Sequence, residues 1–312
     1  MSPIRIGIIV ILSVVLFLAI SFYAVTYLIF KISLARKSYA GEQVKKRFGG
    51  NLEAFDIDRS FWNKNKVEEL TQTNQDGAVL KGFLVKSKQK TNKLAVIVHG
   101  YYSKHEDMAI QAKIFNKLGF DVFCPDLFGH GKSQGKFVNM GLNDARDVSD
   151  WCKKFIKENP NVEIVVFGWS MGGATSAIMS GLYDLKNIKT YIVECPYSSA
   201  YEEFEEILKV RKLSSKLILP FGELASKMYC GYSLKEANPE KHVALSSKPM
   251  LLIHGNADTF VPYFMGKKVF DAKKKGTKEF VTFEGADHCM CYKTDKKRYE
   301  KVITEWIDKY FN

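Results

Sequence analysis

Short β-rich runs alternate with amphipathic helical runs from about residue 66 to the C-terminus, and this alternation constrains the fold most strongly. It is typical of a mostly parallel sheet with helices on both faces. An Asp76-Gly77 pair between the first two runs favours a tight hairpin, so the sheet should open with an antiparallel pair. Eight strands are predicted, over residues 67–73, 79–85, 94–98, 121–124, 163–167, 190–194, 250–253 and 279–283.

One connection in this pattern is too long for a plain crossover. About fifty residues separate the strand that ends at Glu194 from the strand that begins near Met250, whereas a crossover needs about a dozen. The excess predicts a helical cap inserted at about residues 197–247 of a domain that covers residues 66–312. Acidic residues at the start of the cap would complement the positive end of a helix, and they are Glu202, Glu203, Glu205 and Glu206.

The N-terminus carries a long apolar segment, because no charged residue occurs between Ile6 and Phe30. Its 25 residues would form about 37 Å of helix, and a hydrocarbon core is about 30 Å thick. A cleaved signal peptide has an apolar region of only about 7 to 15 residues, and the small-x-small motif at residues 38–40 lies well beyond this segment. We therefore predict an uncleaved transmembrane anchor at residues 1–30, then a basic linker and lead-in at residues 31–65.

Charge and cysteine content bear on where the chain resides. The formal net charge is +12, and about half of it flanks the apolar segment, which indicates a membrane surface rather than nucleic acid as the partner. Arg5 precedes the segment. Six basic residues follow it closely: Lys31, Arg36, Lys37, Lys45, Lys46 and Arg47. By the positive-inside rule the body should be cytoplasmic, and six cysteines in 312 residues fit a reducing compartment.

A nucleophile motif follows the fifth predicted strand. The sequence Gly168-Trp169-Ser170-Met171-Gly172 has the form G-x-S-x-G and leads from an apolar strand into a helical run. A serine on such a tight turn needs neighbours without a bulky side chain two residues away on either side. Gly168 and Gly172 meet that need, so Ser170 is predicted as the nucleophile.

A serine hydroxyl needs a base, and the base needs a group that fixes its tautomer. With this motif the acid and then the histidine follow the serine along the chain, which leaves His242, His254 and His288. His288 is the best placed, because it lies in the loop between the last strand and the last helix. Asp258, just past the end of a strand, is the predicted acid, and Glu194 is the alternative.

The negative charge that develops on a substrate carbonyl oxygen needs preorganised N–H donors. We predict the backbone N–H of Met171, at the start of the helix after the motif, as one donor. The second is predicted from the loop after the third strand, where Gly100 lets the backbone approach and Tyr101 supplies the N–H group. His99 is interpreted as a residue that fixes this loop.

The ordered motifs together resemble the α/β-hydrolases, and within them the serine aminopeptidase and monoacylglycerol-lipase-like group, which includes membrane-anchored bacterial members. Asn256, where relatives often carry aspartate, and the Cys289-Met290-Cys291 run depart from the pattern. The resemblance implies the α/β-hydrolase fold over roughly residues 66–311. The segments that carry it are 99–101, 126–133, 168–172, 254–258, 261–262 and 286–288.

These features together predict a serine hydrolase that acts through an acyl-enzyme. Carboxylic esters, including lipid esters, are the favoured substrates, because no acidic cluster for a substrate amino terminus is readable. A peptidase or amide hydrolase with the same groups is one alternative, and a non-catalytic anchored scaffold is another. We expect no cofactor and no metal, since Cys289 and Cys291 lack the second ligand pair of a structural zinc site.

Overall fold

The computed structural model describes residues 2–44 and 59–311. Its central feature is an eight-stranded sheet with the strand order β1-β2-β4-β3-β5-β6-β7-β8, in which β2 runs antiparallel to β1 and β4 and the other neighbours are parallel. The predicted fold class is therefore confirmed. The strands are β1 Val67–Thr73, β2 Val79–Val85, β3 Lys93–Val98, β4 Asp121–Asp126, β5 Glu163–Trp169, β6 Ile188–Glu194, β7 Met250–Gly255 and β8 Lys278–Phe283.

Helices cover the sheet and fill the long connection after β6. A 3₁₀ turn, His105–Met108, precedes α4, and a π turn, Ser226–Cys230, follows α8. The helices are α1 Pro3–Ser33, α2 Tyr39–Val44, α3 Ser60–Lys64, α4 Ala109–Lys117, α5 Leu142–Glu158, α6 Met171–Leu182, α7 Ala200–Val210, α8 Ser215–Ala225, α9 Pro239–Val243, α10 Tyr263–Ala272, α11 Cys291–Thr294 and α12 Lys296–Phe311.

The sheet separates two hydrophobic cores. In β3, Val96 and Val98 are fully buried in one core, and the alternating residues Ala95 and Ile97 are fully buried in the other. This is why the strand reads as a continuous apolar run, as parallel strands buried on both faces do. The loops that follow β3 and β5 therefore start from strands that are buried on both faces.

The connection between β6 and β7 carries α7, α8, the π turn and α9, which lie within the predicted cap at residues 197–247. The cap limits and the domain limits remain predictions, because the structure gives elements rather than domains. We refer to α7 to α9 as the cap below.

Helix α1 is long and apolar enough to cross a membrane, and it runs to Ser33 rather than ending at residue 30. The chain after it packs on the body, since Leu34 and Ala35 are buried and Ala35 pairs with Phe137 in a β-bridge. Part of the predicted linker, including Lys45, Lys46 and Arg47, lies outside the described residues.

Candidate active site

Ser170 lies on a strained turn between β5 and α6. Its backbone φ is 55°, in the left-handed region that a non-glycine residue seldom adopts. The flanking glycines have no room for a side chain. A Cβ atom on Gly168 would lie 2.1 Å from the Gly172 carbonyl oxygen, and one on Gly172 would lie 2.1 Å from the Val98 carbonyl oxygen. The two glycines therefore let the turn close against the end of β3.

The structure brings Ser170, His288 and Asp258 into one chain of hydrogen bonds. The Nε2 atom of His288 is 2.9 Å from the Ser170 Oγ, and its Nδ1 atom is 2.8 Å from an Asp258 carboxylate oxygen. All three residues are buried. The other Asp258 oxygen accepts the backbone N–H groups of Phe260 and Val261, at 2.9 and 2.8 Å, which fixes the carboxylate in place.

The pKa shifts of Asp258 and His288 agree with an ionised carboxylate beside the histidine ring. Burial alone would raise the pKa of Asp258, but the adjacent His288 and His254 outweigh it and hold that pKa below its usual value. Burial alone would lower the pKa of His288, but the Asp258 carboxylate and, to a lesser extent, the nearby Cys195 sulfur outweigh it and raise that pKa. Asp258 is therefore ionised at neutral pH, and it stabilises the protonated imidazole.

The predicted alternative acid has a different environment. The carboxylate of Glu194 accepts a hydrogen bond from the Tyr299 hydroxyl at 2.6 Å. Burial raises the pKa of Glu194 to about 8. The backbone carbonyl of Glu194 also accepts the N–H of Ser170 at 2.8 Å. This residue thus supports the turn, while the Nδ1 atom of His288 contacts Asp258.

The loop after β3 runs close to the turn. A Cβ atom on Gly100 would lie 3.3 Å from the Ser170 Cβ and 2.8 Å from the Trp169 indole nitrogen. The buried His99 fixes the loop, because its Nδ1 atom lies 2.8 Å from the Gly100 carbonyl oxygen and its Nε2 atom accepts the N–H of Leu127 at 3.0 Å. The predicted loop-fixing role of His99 is confirmed.

Glu203 in α7 is a buried acid whose environment the sequence did not reveal. It is only 3% exposed, and among the described residues neither of its carboxylate oxygens has a hydrogen-bond partner. Burial raises its pKa to about 8, with smaller effects from the charges of His288 and Asp258. Glu203 lies three residues after the buried Ala200, on the same helical face, but four glutamates in close succession give no sequence signal for which of them is buried.

Two cysteines lie beside the histidine. The sulfur atoms of Cys195 and Cys289 are 3.4 Å apart, and these sulfurs and a ring nitrogen of His288 all lie within 4.8 Å of one another. Three donors are one fewer than the four that close a structural zinc site. The histidine ring nitrogens already contact Ser170 and Asp258.

The sequence of the chain is similar to known protein families and to individual proteins. The chain matches the family model described as serine aminopeptidase, S33, over residues 89–241, and that of the prolyl oligopeptidase family over residues 220–312. It is 26% identical over 275 residues to the protein YqkD of Bacillus subtilis, and the match covers 87% of this chain and 88% of YqkD. It is 22% identical over 251 residues to the monoacylglycerol lipase of Mycolicibacterium smegmatis, with 69% and 87% coverage.

Among solved structures, the Pyrococcus furiosus esterase Pf2001 superimposes with a TM-score of 0.66 at 20% identity, over 81% of this chain and 94% of that one. Fold, sequence matches and site geometry agree on the class of protein. The chain belongs to the α/β-hydrolase superfamily. It is a hydrolase, and it is similar to the relatives just named.

Proposed function

We propose that the protein is a membrane-anchored serine hydrolase that cleaves carboxylic esters, including lipid esters, through an acyl-enzyme. The observation that carries the proposal is the hydrogen-bonded chain from Ser170 through His288 to Asp258. The similarity to an esterase and to a monoacylglycerol lipase supports esters as the substrate class.

The proposed reaction begins when the Ser170 Oγ attacks the ester carbonyl carbon and His288 Nε2 takes the hydroxyl proton. Asp258 stabilises the imidazolium and keeps the ring in the tautomer with the proton on Nδ1. The carbon–oxygen bond to the leaving alcohol then breaks, and His288 returns the proton to that oxygen. A water molecule repeats the sequence on the acyl-enzyme, which releases the acid and restores Ser170.

We propose the backbone N–H groups of Tyr101 and Met171 as the donors to the developing oxyanion. Met171 begins α6, so its N–H lies at the positive end of a helix dipole. Gly100 lies close to Ser170, and the Tyr101 N–H is the next backbone donor along this loop, which supports it as the second donor. Removing one such donor typically costs about 3 to 4 kcal/mol in the barrier.

A fluorophosphonate probe tests the assignment of the nucleophile. The wild-type protein should become covalently labelled, and Ser170→Ala should not. Ser87→Ala, which removes a serine from the segment after β2, is the matched control and should label as the wild type does. Labelling that persists in Ser170→Ala would rule out this nucleophile.

We further propose that α1 anchors the protein in a membrane with the hydrolase body on the cytoplasmic side. The uncharged stretch of α1 and the basic residues after it support this topology. In intact cells, external protease should leave the body whole, and permeabilised cells should lose it. Digestion of the body in intact cells would contradict the cytoplasmic orientation.

One observation favours amide or peptide substrates as a second candidate function. Glu203 offers a buried carboxyl group without a hydrogen-bond partner among the described residues, and it interacts electrostatically with His288 and Asp258. Such a group could bind a substrate ammonium. A panel of p-nitrophenyl esters and aminoacyl anilides decides between the two, and faster anilide turnover that is lost in Glu203→Gln would favour the peptidase.

A further inference from the structure

The C-terminal part of α1 packs against the cap rather than standing apart from it. The rings of Phe22 and Phe221 are 5.9 Å apart, and the Thr26 hydroxyl lies 3.4 Å from the Tyr229 hydroxyl. Tyr229 is the centre of an aromatic cluster. Its ring lies 5.1 to 6.1 Å from the rings of three α1 residues, Tyr23, Tyr27 and Phe30.

The same end of α1 is tied to the loop that approaches Ser170. The Tyr101 hydroxyl donates to the Ser33 carbonyl at 2.5 Å, and the Tyr102 hydroxyl donates to the Ala35 carbonyl. The Arg36 side chain donates to three carbonyl oxygens in the loop after β4. Helix, cap and active-site loop therefore form one packed unit, without a free linker at this point.

This packing sets the level of the cap relative to the bilayer that α1 crosses. The α1 residues in the contact lie between Phe22 and Phe30, and Lys31 is the first charged residue after them. At about 1.5 Å per residue, they occupy the last ~13 Å of helix before that charge. A Lys at the end of a span lies near the headgroups. With α1 as the proposed span, the cap residues that pack on these positions therefore lie at the membrane surface and just below the headgroups.

The turn between α7 and α8, which we call the cap tip (residues 209–217), has an unusual surface. Its apolar side chains are largely uncovered by the described residues, since Val210 is 76% exposed, Leu217 71% and Leu213 49%. The four basic residues of the cap tip are also exposed: Lys209, Arg211, Lys212 and Lys216.

Acidic residues precede the cap tip but do not occur within it. Glu206 pairs with Lys209 at 3.4 Å, and Glu205 accepts a hydrogen bond from the Ser215 hydroxyl at 3.2 Å. Both interactions draw the two glutamates to the base of the turn. Arg211, Lys212 and the exposed apolar residues remain at its surface, and this pairing of cationic and apolar side chains is typical of segments that bind an anionic bilayer interface.

We propose that the cap tip docks on the anionic bilayer that α1 crosses, with Leu213 and Leu217 among the acyl chains and Arg211 and Lys212 at the headgroups. The inference rests on the proposed membrane anchor. Because the cap tip is held to α1 through the cap, the two attachments fix the hydrolase body against the bilayer. The substrate class that follows is an ester of a bilayer-resident amphiphile, which the enzyme takes from the membrane rather than from water.

The test uses the full-length protein in proteoliposomes that contain either phosphatidylcholine alone or about 30% phosphatidylserine. An environment-sensitive fluorophore is attached to one introduced cysteine, in the variants Leu213→Cys, Leu16→Cys and Lys90→Cys. The six native cysteines are all buried, and the unsubstituted protein gives the labelling background. Leu16 reports the anchor. Lys90 precedes the amino end of β3, whereas Ser170 follows the carboxyl end of the parallel strand β5. Lys90 therefore lies at the opposite end of the strands and is the aqueous control.

We expect lipids with a shallow spin label to quench the Leu213 fluorophore at least twofold more than the Lys90 fluorophore, with a larger effect in the anionic vesicles. A deep spin label should quench the Leu16 fluorophore. If the fluorophore at position 16 is quenched but the one at position 213 is quenched no more than the one at position 90, the cap-tip proposal is overturned while the anchor stands. If the fluorophore at position 16 is not quenched either, the proposed anchor is wrong.

A second variant connects docking to turnover. Leu213→Glu/Leu217→Glu should lower the rate on a vesicle-embedded ester by about tenfold, because two carboxylates oppose insertion into an anionic interface. Its rate on a water-soluble short-chain ester should stay within twofold of the wild type. An unchanged rate on the vesicle ester would overturn the proposal, and so would an equal loss on both substrates.

Discussion

The sequence predicts three site residues from their positions beside particular strands: Ser170, His288 and Asp258. The structure adds the contacts that hold them. The sequence places Asp258 after β7, but only the fold shows that two backbone N–H groups fix one of its oxygens while His288 contacts the other. Their roles in catalysis remain predictions. Glu203 was interpreted as a helix-dipole residue, because its four-glutamate neighbourhood does not show which side chain faces the interior.

The Asp258 carboxylate should govern how activity depends on pH. His288 accepts a proton from Ser170 only when its ring is neutral, and Asp258 raises the pKa of His288. Wild-type kcat/KM should therefore fall as the pH drops below the pKa of His288. In Asp258→Asn the acidic limb should move to lower pH, and kcat should fall by about 10³ to 10⁴-fold as the favoured tautomer is lost. Asp271→Asn, in α10, is the control. An unmoved limb in Asp258→Asn would contradict the assignment.

Glu203 should destabilise the protein at neutral pH. Its folded-state pKa of about 8 lies above the ordinary value of 4.5, so the folded state favours the protonated acid. The preference of the folded state for protonated Glu203 has its full effect on the free energy of unfolding below about pH 4.5. That effect is lost as the pH rises toward 8. Glu203→Gln should therefore raise the free energy of unfolding by about 2 to 3 kcal/mol at pH 7, relative to its effect at pH 4.5.

Urea denaturation of both proteins at the two pH values measures this difference. Glu205→Gln, an exposed position in the same helix, is the matched control and should show little change between the two pH values. Equal effects of Glu203→Gln at both pH values would show that folding does not raise the pKa of Glu203.

Local sequence patterns predict the bounds of some helices and strands but not of others. Strands β1 and β2 begin and end at the predicted residues, because turn residues bound both of them. The sequence Ser103-Lys104-His105-Glu106 has the form of a capping box, but the helix here begins at His105, as a 3₁₀ turn. Asp107 accepts from Ser103 and from the Lys104 N–H in place of Glu106. Such competition between neighbouring acids depends on tertiary contacts.

The turn between β5 and α6 should tolerate no side chain at Gly172. Gly172→Ala would place a Cβ 2.1 Å from a backbone oxygen of β3, and we expect a loss of about 3 kcal/mol in the free energy of unfolding. Gly119→Ala is the matched control, because Gly119 has a φ of +85° but nothing within 4 Å of its Cβ position. Its loss should be only about 1 kcal/mol. Equal losses would show that contact with β3 does not constrain the turn.

At the scale of the whole molecule, the sequence predicted an anchor and a body but not their contact. Hydrophobicity identifies α1 as a candidate span, yet no local pattern shows that Tyr229 of the cap packs on it or that Tyr101 donates to its last residue. These contacts join segments about 70 to 200 residues apart in sequence. Long-range pairing of this kind is set by shape and burial, which a single sequence does not display.

Ser170 should carry the acyl group during turnover. The most direct measurement is mass spectrometry of the full-length protein after rapid acid quench from a p-nitrophenyl ester. We predict one added acyl group on the peptide that contains Ser170, and none in Ser170→Ala. Steady ester turnover with the acyl group on another residue would contradict the account.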